Sequence, residues 1–162
     1  MEKRDLVVTR VYKAPVERVW KAWSEAEEVM KWWGPDCFTS PSAEMDFREG
    51  GKSIVCMRAP KDFGGMDMYS VWAYQKIEPM RTIDLVQNLS DKEGNVMDPV
   101  KLGMPPEFPM DMRTVARFKD LGDGKTEMTV TEYDWPICPM LKMAELGLNQ
   151  CLDKMGRIFA QC

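Results

Sequence analysis

Residues 139–162 have the sequence PMLKMAELGLNQCLDKMGRIFAQC, and their pattern limits how the rest of the chain can fold. Its apolar side chains recur at steps of three and four, and charged or amide side chains fill the gaps, which is typical of a long amphipathic helix. Burying about eight of these apolar side chains would contribute on the order of 12 to 24 kcal/mol before the entropy cost of folding. The rest of the chain must therefore offer a large apolar surface to this helix.

The segments before residue 139 predict that surface. β-branched and aromatic residues over 5–13 predict a first strand, and apolar residues at helical spacing over 15–24 and 25–33 predict two short helices. From residue 42 onward the apolar period changes to about two, which predicts six more strands, over residues 43–48, 52–58, 66–77, 82–88, 112–121 and 126–135. We therefore expect a single α+β domain over residues 1–162, in which a curved antiparallel seven-stranded sheet wraps around the long C-terminal helix.

Residues 89–110 show no period and are rich in glycine, proline and methionine. A segment of this length without regular structure, inside a compact domain, is usually a lid, a binding loop or a disordered stretch. We expect it to gate the space that a curved sheet leaves beside the long helix.

Composition excludes several classes of protein. The net charge is −4 and there is no basic run, so neither nucleic acid nor an anionic membrane is an expected partner. No apolar run reaches the length of a membrane span, and the first residues lack the apolar core of a signal peptide, so we expect a cytoplasmic protein.

The chain has no histidine and five widely spaced cysteines, which argues against histidine-based catalysis, metal sites and a disulfide framework. We therefore expect no metal and no cofactor.

Four motifs resemble a known family. They are VYKAPVERVW (11–20), WWGP (32–35), DFREGG (46–51) and IEP (77–79). They are similar to motifs of the START-like (SRPBCC) superfamily, and more narrowly of the family named after the activator of the heat-shock protein 90 ATPase. The resemblance covers essentially the whole chain and implies the helix-grip fold, with an apolar ligand pocket between the sheet and the C-terminal helix. It does not imply one activity, because the superfamily includes lipid carriers, cyclases, hormone receptors and chaperone cofactors.

Strand phasing and the helix pattern identify candidate contacts for an apolar ligand. Because side chains two apart leave the same face of a strand, one alternating set on each predicted strand points toward the helix. Methionine and aromatic side chains dominate this set, which is typical of an adaptable apolar interior. The candidate ligand-binding residues are Trp33, Val55, Met57, Met68, Trp72, Ile83, Leu85, Met112, Phe118, Met128, Met143 and Gly147.

Glu132 is the candidate for chemistry in this pocket. On the last predicted strand it shares a face with Met128 and Val130, and Asp134 has the same phase. A carboxylic acid in an apolar pocket would have a raised pKa and could act as a general acid or base. The alternative is that Glu132 lies in water at the end of the sheet, where it would have no such role.

Gly147 divides the long helix into two halves. A glycine inside a helix costs roughly 1 kcal/mol relative to alanine, so its presence indicates a close approach, a bend, or space kept for a ligand. We expect the half before Gly147, with Leu141, Met143 and Ala144, to face the pocket. We expect the half after it to pack on the sheet through Cys151, Leu152, Met155, Ile158 and Phe159.

These features favour a protein that binds a small apolar ligand, either lipid-like or aromatic. Two alternatives stay open. The resemblance raises a protein-interaction domain that activates a chaperone ATPase, and the same pocket would also suit an enzyme of the cyclase or hydratase type. The sequence does not specify the oligomeric state, and a homodimer is compatible with it.

Overall fold

An antiparallel sheet of seven strands is the main element of the structure, a computed structural model that describes residues 2–160. The strands are β1 (Lys3–Tyr12), β2 (Ala43–Glu44), β3 (Lys52–Arg58), β4 (Asp67–Glu78), β5 (Thr82–Ser90), β6 (Met112–Gly122) and β7 (Lys125–Pro136). Their order across the sheet is β1-β7-β6-β5-β4-β3-β2, so β2 to β7 form a continuous meander and β1 pairs with β7. The predicted antiparallel sheet of seven strands is confirmed.

Three α-helices complete the fold: α1 (Val16–Ser24), α2 (Ala26–Trp32) and α3 (Pro139–Phe159). Proline occupies the first turn of α3, where its missing N–H costs nothing, so the helix begins where the sequence predicts. The predicted end of this helix at Cys162 lies outside the described residues. Of the helices within residues 2–160, none has both the length and the apolar character that crossing a membrane requires.

The second predicted strand, over residues 43–48, is only two residues long in the structure. The chain leaves the ladder because the amide of Arg48 donates to the carbonyl of Asp46 and that of Gly51 to the carbonyl of Arg48, which closes a tight turn. Gly50 has a φ of +80°, and a Cβ on Gly51 would overlap the carbonyl oxygen of Asp46. Both glycines of this motif are therefore required by the backbone.

Tryptophans of α1, α2 and β4 fill one end of the concave face of the sheet. The rings of Trp23 and Trp32 are 4.8 Å apart, and those of Trp32 and Trp72 are 6.3 Å apart. The Trp32 indole donates to the carbonyl of Ala22 at 2.7 Å, and the Trp23 indole donates to the sulfur of Met128 at 3.2 Å. The two short helices thus close this end with a packed core in which the indole N–H groups of Trp23 and Trp32 have partners.

The second half of α3 is fixed to β1 and to the segment after α2. The Tyr12 hydroxyl donates to the carbonyl of Leu152 at 2.8 Å, and the Arg10 guanidinium bonds the Asp153 carboxylate at 2.6 Å. The Lys154 ammonium donates to two backbone carbonyls of the segment after α2, each at 2.9 Å. These contacts hold the helix across the concave face, while its first half faces β3 to β7 across a gap.

Candidate functional site

A pocket of about 310 Å³ lies between the first half of α3 and the concave face of the sheet. Met143 is 65% exposed and lies at its mouth. The wall formed by α3 consists of Met140, Met143, Ala144, Gly147, Leu148 and Cys151. The wall formed by the sheet consists of Met57, Met68, Ser70, Gln87, Leu89, Met112, Glu132 and Trp135. The segment after α2 adds Trp33, Pro35 and Phe38.

The structure brings half of the twelve candidate ligand contacts to this pocket. The six that line it are Trp33, Met57, Met68, Met112, Met143 and Gly147. The other six lie in the closed core, each at most 6% exposed: Val55, Trp72, Ile83, Leu85, Phe118 and Met128. The division follows from the position of α1 and α2, which cover their end of the concave face. Phe118, for example, packs edge-on against Trp20 of α1, with ring centroids 5.2 Å apart.

The two halves of α3 differ in what they contact. Met143 and Ala144 line the pocket as expected, whereas Leu141 is buried outside its wall. Leu152 and Met155 are fully buried in the core, but Cys151 also lines the pocket, which therefore extends one turn beyond Gly147.

The segment between β5 and β6, for which the sequence predicts no regular structure, forms the remaining wall. Met104, Phe108 and Pro109 line the pocket, and the Phe108 ring packs edge-on against Trp135 with centroids 5.8 Å apart. These residues could have been identified in the sequence as apolar side chains within a proline-rich segment. A loop that is fully exposed to water would not need such side chains.

Polar side chains hold this segment at both ends. Near its start, the Asp91 carboxylate accepts two backbone N–H groups of the following turn, both at 2.9 Å. At its end, the side-chain amide of Asn88 donates to the carbonyl of Met110 at 2.7 Å and to the carboxylate of Asp111 at 2.6 Å. The segment is therefore an ordered wall, and Asn88 ties it to the sheet.

Glu132 shares the pocket with Trp135 because β7 contains a bulge. In a regular strand residues 132 and 135 would lie on opposite faces. The register between β1 and β7 shifts here, where Asp134 adopts a φ of +60° and donates its N–H to the Asp5 carboxylate at 3.0 Å. Trp135 consequently reaches the pocket, and its indole donates to Glu132 Oε1 at 2.9 Å. The sequence predicts that Glu132 and Asp134 lie on the same face of the strand. In the structure Asp134 is exposed, and of these two acids only Glu132 lines the pocket.

Burial raises the pKa of the Glu132 carboxyl to about 7, and the hydrogen bond from Trp135 offsets only part of this effect. The uncovered part of the side chain faces the pocket. Neither lysine nor arginine is among the pocket residues, so the pocket wall has no cation to stabilise the carboxylate. Near pH 7 this acid therefore populates both protonation states.

The other polar side chains of the pocket are neutral. The Gln87 side-chain oxygen accepts the Trp72 indole N–H at 3.0 Å, which fixes the orientation of its amide. Burial raises the pKa of the Cys151 thiol to about 11, so the thiol is protonated at neutral pH. Within residues 2–160, no three His, Cys, Asp or Glu side chains are grouped so that they could hold a metal ion. Glu132 is thus the pocket residue whose charge can change near neutral pH.

A second apolar cleft, of about 480 Å³, lies on the other side of part of the same wall. The two spaces share Phe38, Met68, Leu89 and Met104. Methionine is unbranched and adapts its shape at low cost. The partition between the two clefts is therefore partly made of side chains that can move without a change in the backbone.

The sheet, the long helix across it and the two short helices after β1 define a START-like helix-grip protein. The chain belongs to the family described as Activator of Hsp90 ATPase homolog 1-like protein, whose family model matches residues 13–160. The resemblance recognised in the sequence is thereby confirmed.

Several solved structures have the same fold. A protein from Chromobacterium violaceum is 23% identical with a TM-score of 0.76, and the alignment covers 98% of each chain. A protein from Arthrobacter aurescens is 22% identical with a TM-score of 0.76, over 96% of this chain and 86% of the other. The AHSA1 protein of Silicibacter pomeroyi is 15% identical with a TM-score of 0.75, over 97% and 98%. At these identities the likeness shows the fold alone, and a search of curated proteins finds no match.

Proposed function

We propose that this protein binds a small, largely apolar molecule in the pocket between α3 and the sheet. The observation that carries the proposal is the pocket itself, with a wall of flexible methionines and aromatic rings around few polar groups. This composition is typical of sites for small molecules. The methionines of the wall are Met57, Met68, Met104, Met112, Met140 and Met143.

The size of the pocket limits the ligand. Its volume of about 310 Å³ lies near the lower end of the roughly 300 to 1,000 Å³ that is usual for ligand sites. A molecule of the size of a substituted bicyclic aromatic compound or a medium-length alkyl chain suits this space. Longer ligands would have to displace Met68 or Met104 toward the second cleft.

The pair Gly147→Leu and Gly147→Ala tests the proposal. A Cβ on Gly147 would have Pro35 Cβ, at 4.0 Å, as its nearest neighbour, so alanine fits without a clash, whereas the longer leucine side chain would occupy the pocket. The probe is the uncharged dye N-phenyl-1-naphthylamine, whose fluorescence increases in apolar sites.

We expect saturable binding to the wild type and to Gly147→Ala, and at least tenfold weaker binding to Gly147→Leu. Gly147→Ala is the matched control because it adds a side chain at the same position and should stabilise the helix by about 0.5 to 1 kcal/mol. Equal dye affinity of the two variants would contradict the proposal. The alternative of chaperone ATPase activation stays a prediction, since no residue of the pocket bears on it.

A further inference from the structure

The pocket wall can carry a negative charge but no positive charge. Glu132 is a carboxylic acid, and the other nineteen residues that line the pocket include no Lys, Arg, Asp or Glu. A ligand with a carboxylate or phosphate would find no cation to pair with, and its charge would lie near an acid. Burying an unpaired charge is costly, so this pocket disfavours anionic ligands such as fatty acids.

The carboxyl of Glu132 still has one oxygen free for a ligand. Trp135 donates to Oε1 at 2.9 Å, and no other hydrogen bond to this carboxyl is formed by residues 2–160. Oε2 therefore lacks a protein donor, and the uncovered part of the side chain faces the pocket. A donor on the ligand could satisfy this oxygen in a site where a charge-assisted hydrogen bond is strong.

Aromatic side chains surround the same space. Trp33, Phe38, Phe108 and Trp135 line the pocket, and the last two pack edge-on against each other. A cation near aromatic rings gains additional stabilisation, and the gain is larger where water is excluded. An acid combined with aromatic rings is an arrangement that suits a protonated amine.

We infer that the ligand is a small apolar amine whose protonated nitrogen pairs with the Glu132 carboxylate, while its apolar part fills the methionine-lined remainder of the pocket. This inference rests on the proposed function and adds the chemical class of the ligand. It also assigns Glu132 the role of selecting the head group of the ligand. No bond is made or broken in this role.

The titration behaviour of Glu132 agrees with this assignment. Without a ligand, burial keeps its pKa at about 7, and a cation in contact would lower that pKa. The pocket residue of α3 that also titrates is Cys151, whose thiol is protonated at neutral pH. The neighbouring strand residues are Leu6 on β1 and Thr114 on β6, which carry no charge. Binding of an amine should therefore release a fraction of a proton near pH 7.

The experiment uses three probes with the same naphthyl body: 2-(2-naphthyl)ethylamine, 2-(2-naphthyl)ethanol and 2-naphthylacetate. Affinities for the whole protein are measured by calorimetry at pH 7.5. We expect the amine to bind most tightly and the acetate most weakly. For Glu132→Gln, which keeps an oxygen for the Trp135 indole, we expect the amine to bind about ten- to hundredfold more weakly. The alcohol should change by less than about threefold.

Glu127→Gln is the matched control. It removes the same charge from the same strand, one residue before the core residue Met128, so Glu127 lies on the opposite face of the sheet. Its affinities should equal those of the wild type for all three probes. An unchanged affinity of Glu132→Gln for the alcohol also shows that this variant keeps its pocket.

The outcomes separate this inference from the proposed function. If the three probes bind with similar affinity, or if Glu132→Gln weakens all of them equally, the amine assignment is wrong and the apolar pocket stands. If the acetate binds best, the assignment is also wrong. If none of the probes and no uncharged dye binds, both the proposed function and this inference are overturned.

Discussion

Glu132 lies in the apolar pocket that its strand phase indicates, and it has a hydrogen-bond partner there that strand alternation does not indicate. The bulge at Asp134 brings Trp135 to the same side of the sheet, and the indole then donates to the Glu132 carboxyl at 2.9 Å. The surrounding side chains are apolar, so burial outweighs this hydrogen bond and the pKa of the acid rises to about 7. A residue with this pKa makes the stability of the folded state depend on pH near neutrality.

The first prediction concerns Glu132→Gln and the pH dependence of stability. Because the pKa of Glu132 is raised to about 7 from the usual 4.5 of a glutamate in water, the folded state binds more protons than the unfolded state between these values. The contribution of Glu132 to the free energy of unfolding therefore decreases as pH rises through this window, and the loss is complete above about pH 7. The loss is at most about 3 kcal/mol, because one pKa unit corresponds to about 1.4 kcal/mol and the pocket admits some water.

Glu132→Gln has no such charge to bury. We measure the free energy of unfolding of both proteins by urea denaturation. The value for Glu132→Gln minus the value for the wild type should be larger at pH 8 than at pH 5, by about 1 to 3 kcal/mol. Two stability profiles that run parallel between pH 5 and pH 8 would show that Glu132 is not buried as described.

At the scale of the element, two glycines of α3 have different reasons to be present. A Cβ on Gly156 would lie 3.2 Å from the Tyr12 ring, so the helix approaches β1 closely there. A Cβ on Gly147 would have its nearest neighbour at 4.0 Å, so that glycine leaves space beside the pocket. Of the three explanations that the sequence permits for Gly147, the structure therefore favours free space.

The segment between β5 and β6 supplies the second prediction, through Asn88→Ala. The change removes two hydrogen bonds, to the Met110 carbonyl and the Asp111 carboxylate, and leaves the end of the segment without its tie to the sheet. We expect faster amide hydrogen exchange over residues 98–110, by roughly ten- to hundredfold if about 1 to 3 kcal/mol of local stability is lost. Exchange in β6 and β7 should change little.

Asn95→Ala is the control for this experiment. Its side chain donates to Asp91 within the first turn of the same segment, at 2.9 Å. Faster exchange should then be confined to residues 91–97. If both variants loosen the same residues, or if neither does, the segment is not held by Asn88.

A molecule bound in the pocket would couple binding to the folding of the whole chain. The ligand would contact α3, the sheet and the segments after α2 and β5, which come together only in the folded chain. A compound that binds only the folded state stabilises it by mass action. At a concentration of one hundred times its Kd the gain is about 2.7 kcal/mol.

The third prediction is therefore a concentration-dependent rise in Tm. For a domain of this size each kcal/mol corresponds to about 2 to 4 °C, so a saturating probe should raise the Tm of the wild type by about 5 to 11 °C. Differential scanning fluorimetry with 2-(2-naphthyl)ethylamine measures this shift. In Gly147→Leu the shift should nearly disappear, and an undiminished shift would place the compound outside the pocket.

The elements of this fold are encoded locally. The steps of three and four from Pro139 to Phe159 and the alternation in β3 to β7 follow from the geometry of helix and strand. The exceptions have identifiable causes. Residues 43–48 alternate like a strand, but hydrogen bonds within the turn around Asp46 and Arg48 end β2 early.

Local patterns in the sequence were therefore enough to predict the seven strands, the three helices and the supply of methionine and aromatic side chains for an apolar interior. Which of those side chains line the pocket depends on how the elements pack in three dimensions. Met57 and Leu85 both face inward from a strand, yet α1 and α2 cover one end of the sheet, so Leu85 is buried in the core and Met57 lines the pocket. The same holds for Phe108 and Trp135, because Phe108 belongs to a wall that Asn88 holds from the sheet, and Trp135 reaches the pocket only through the break in strand alternation at Asp134. Local periodicity carries no information about either.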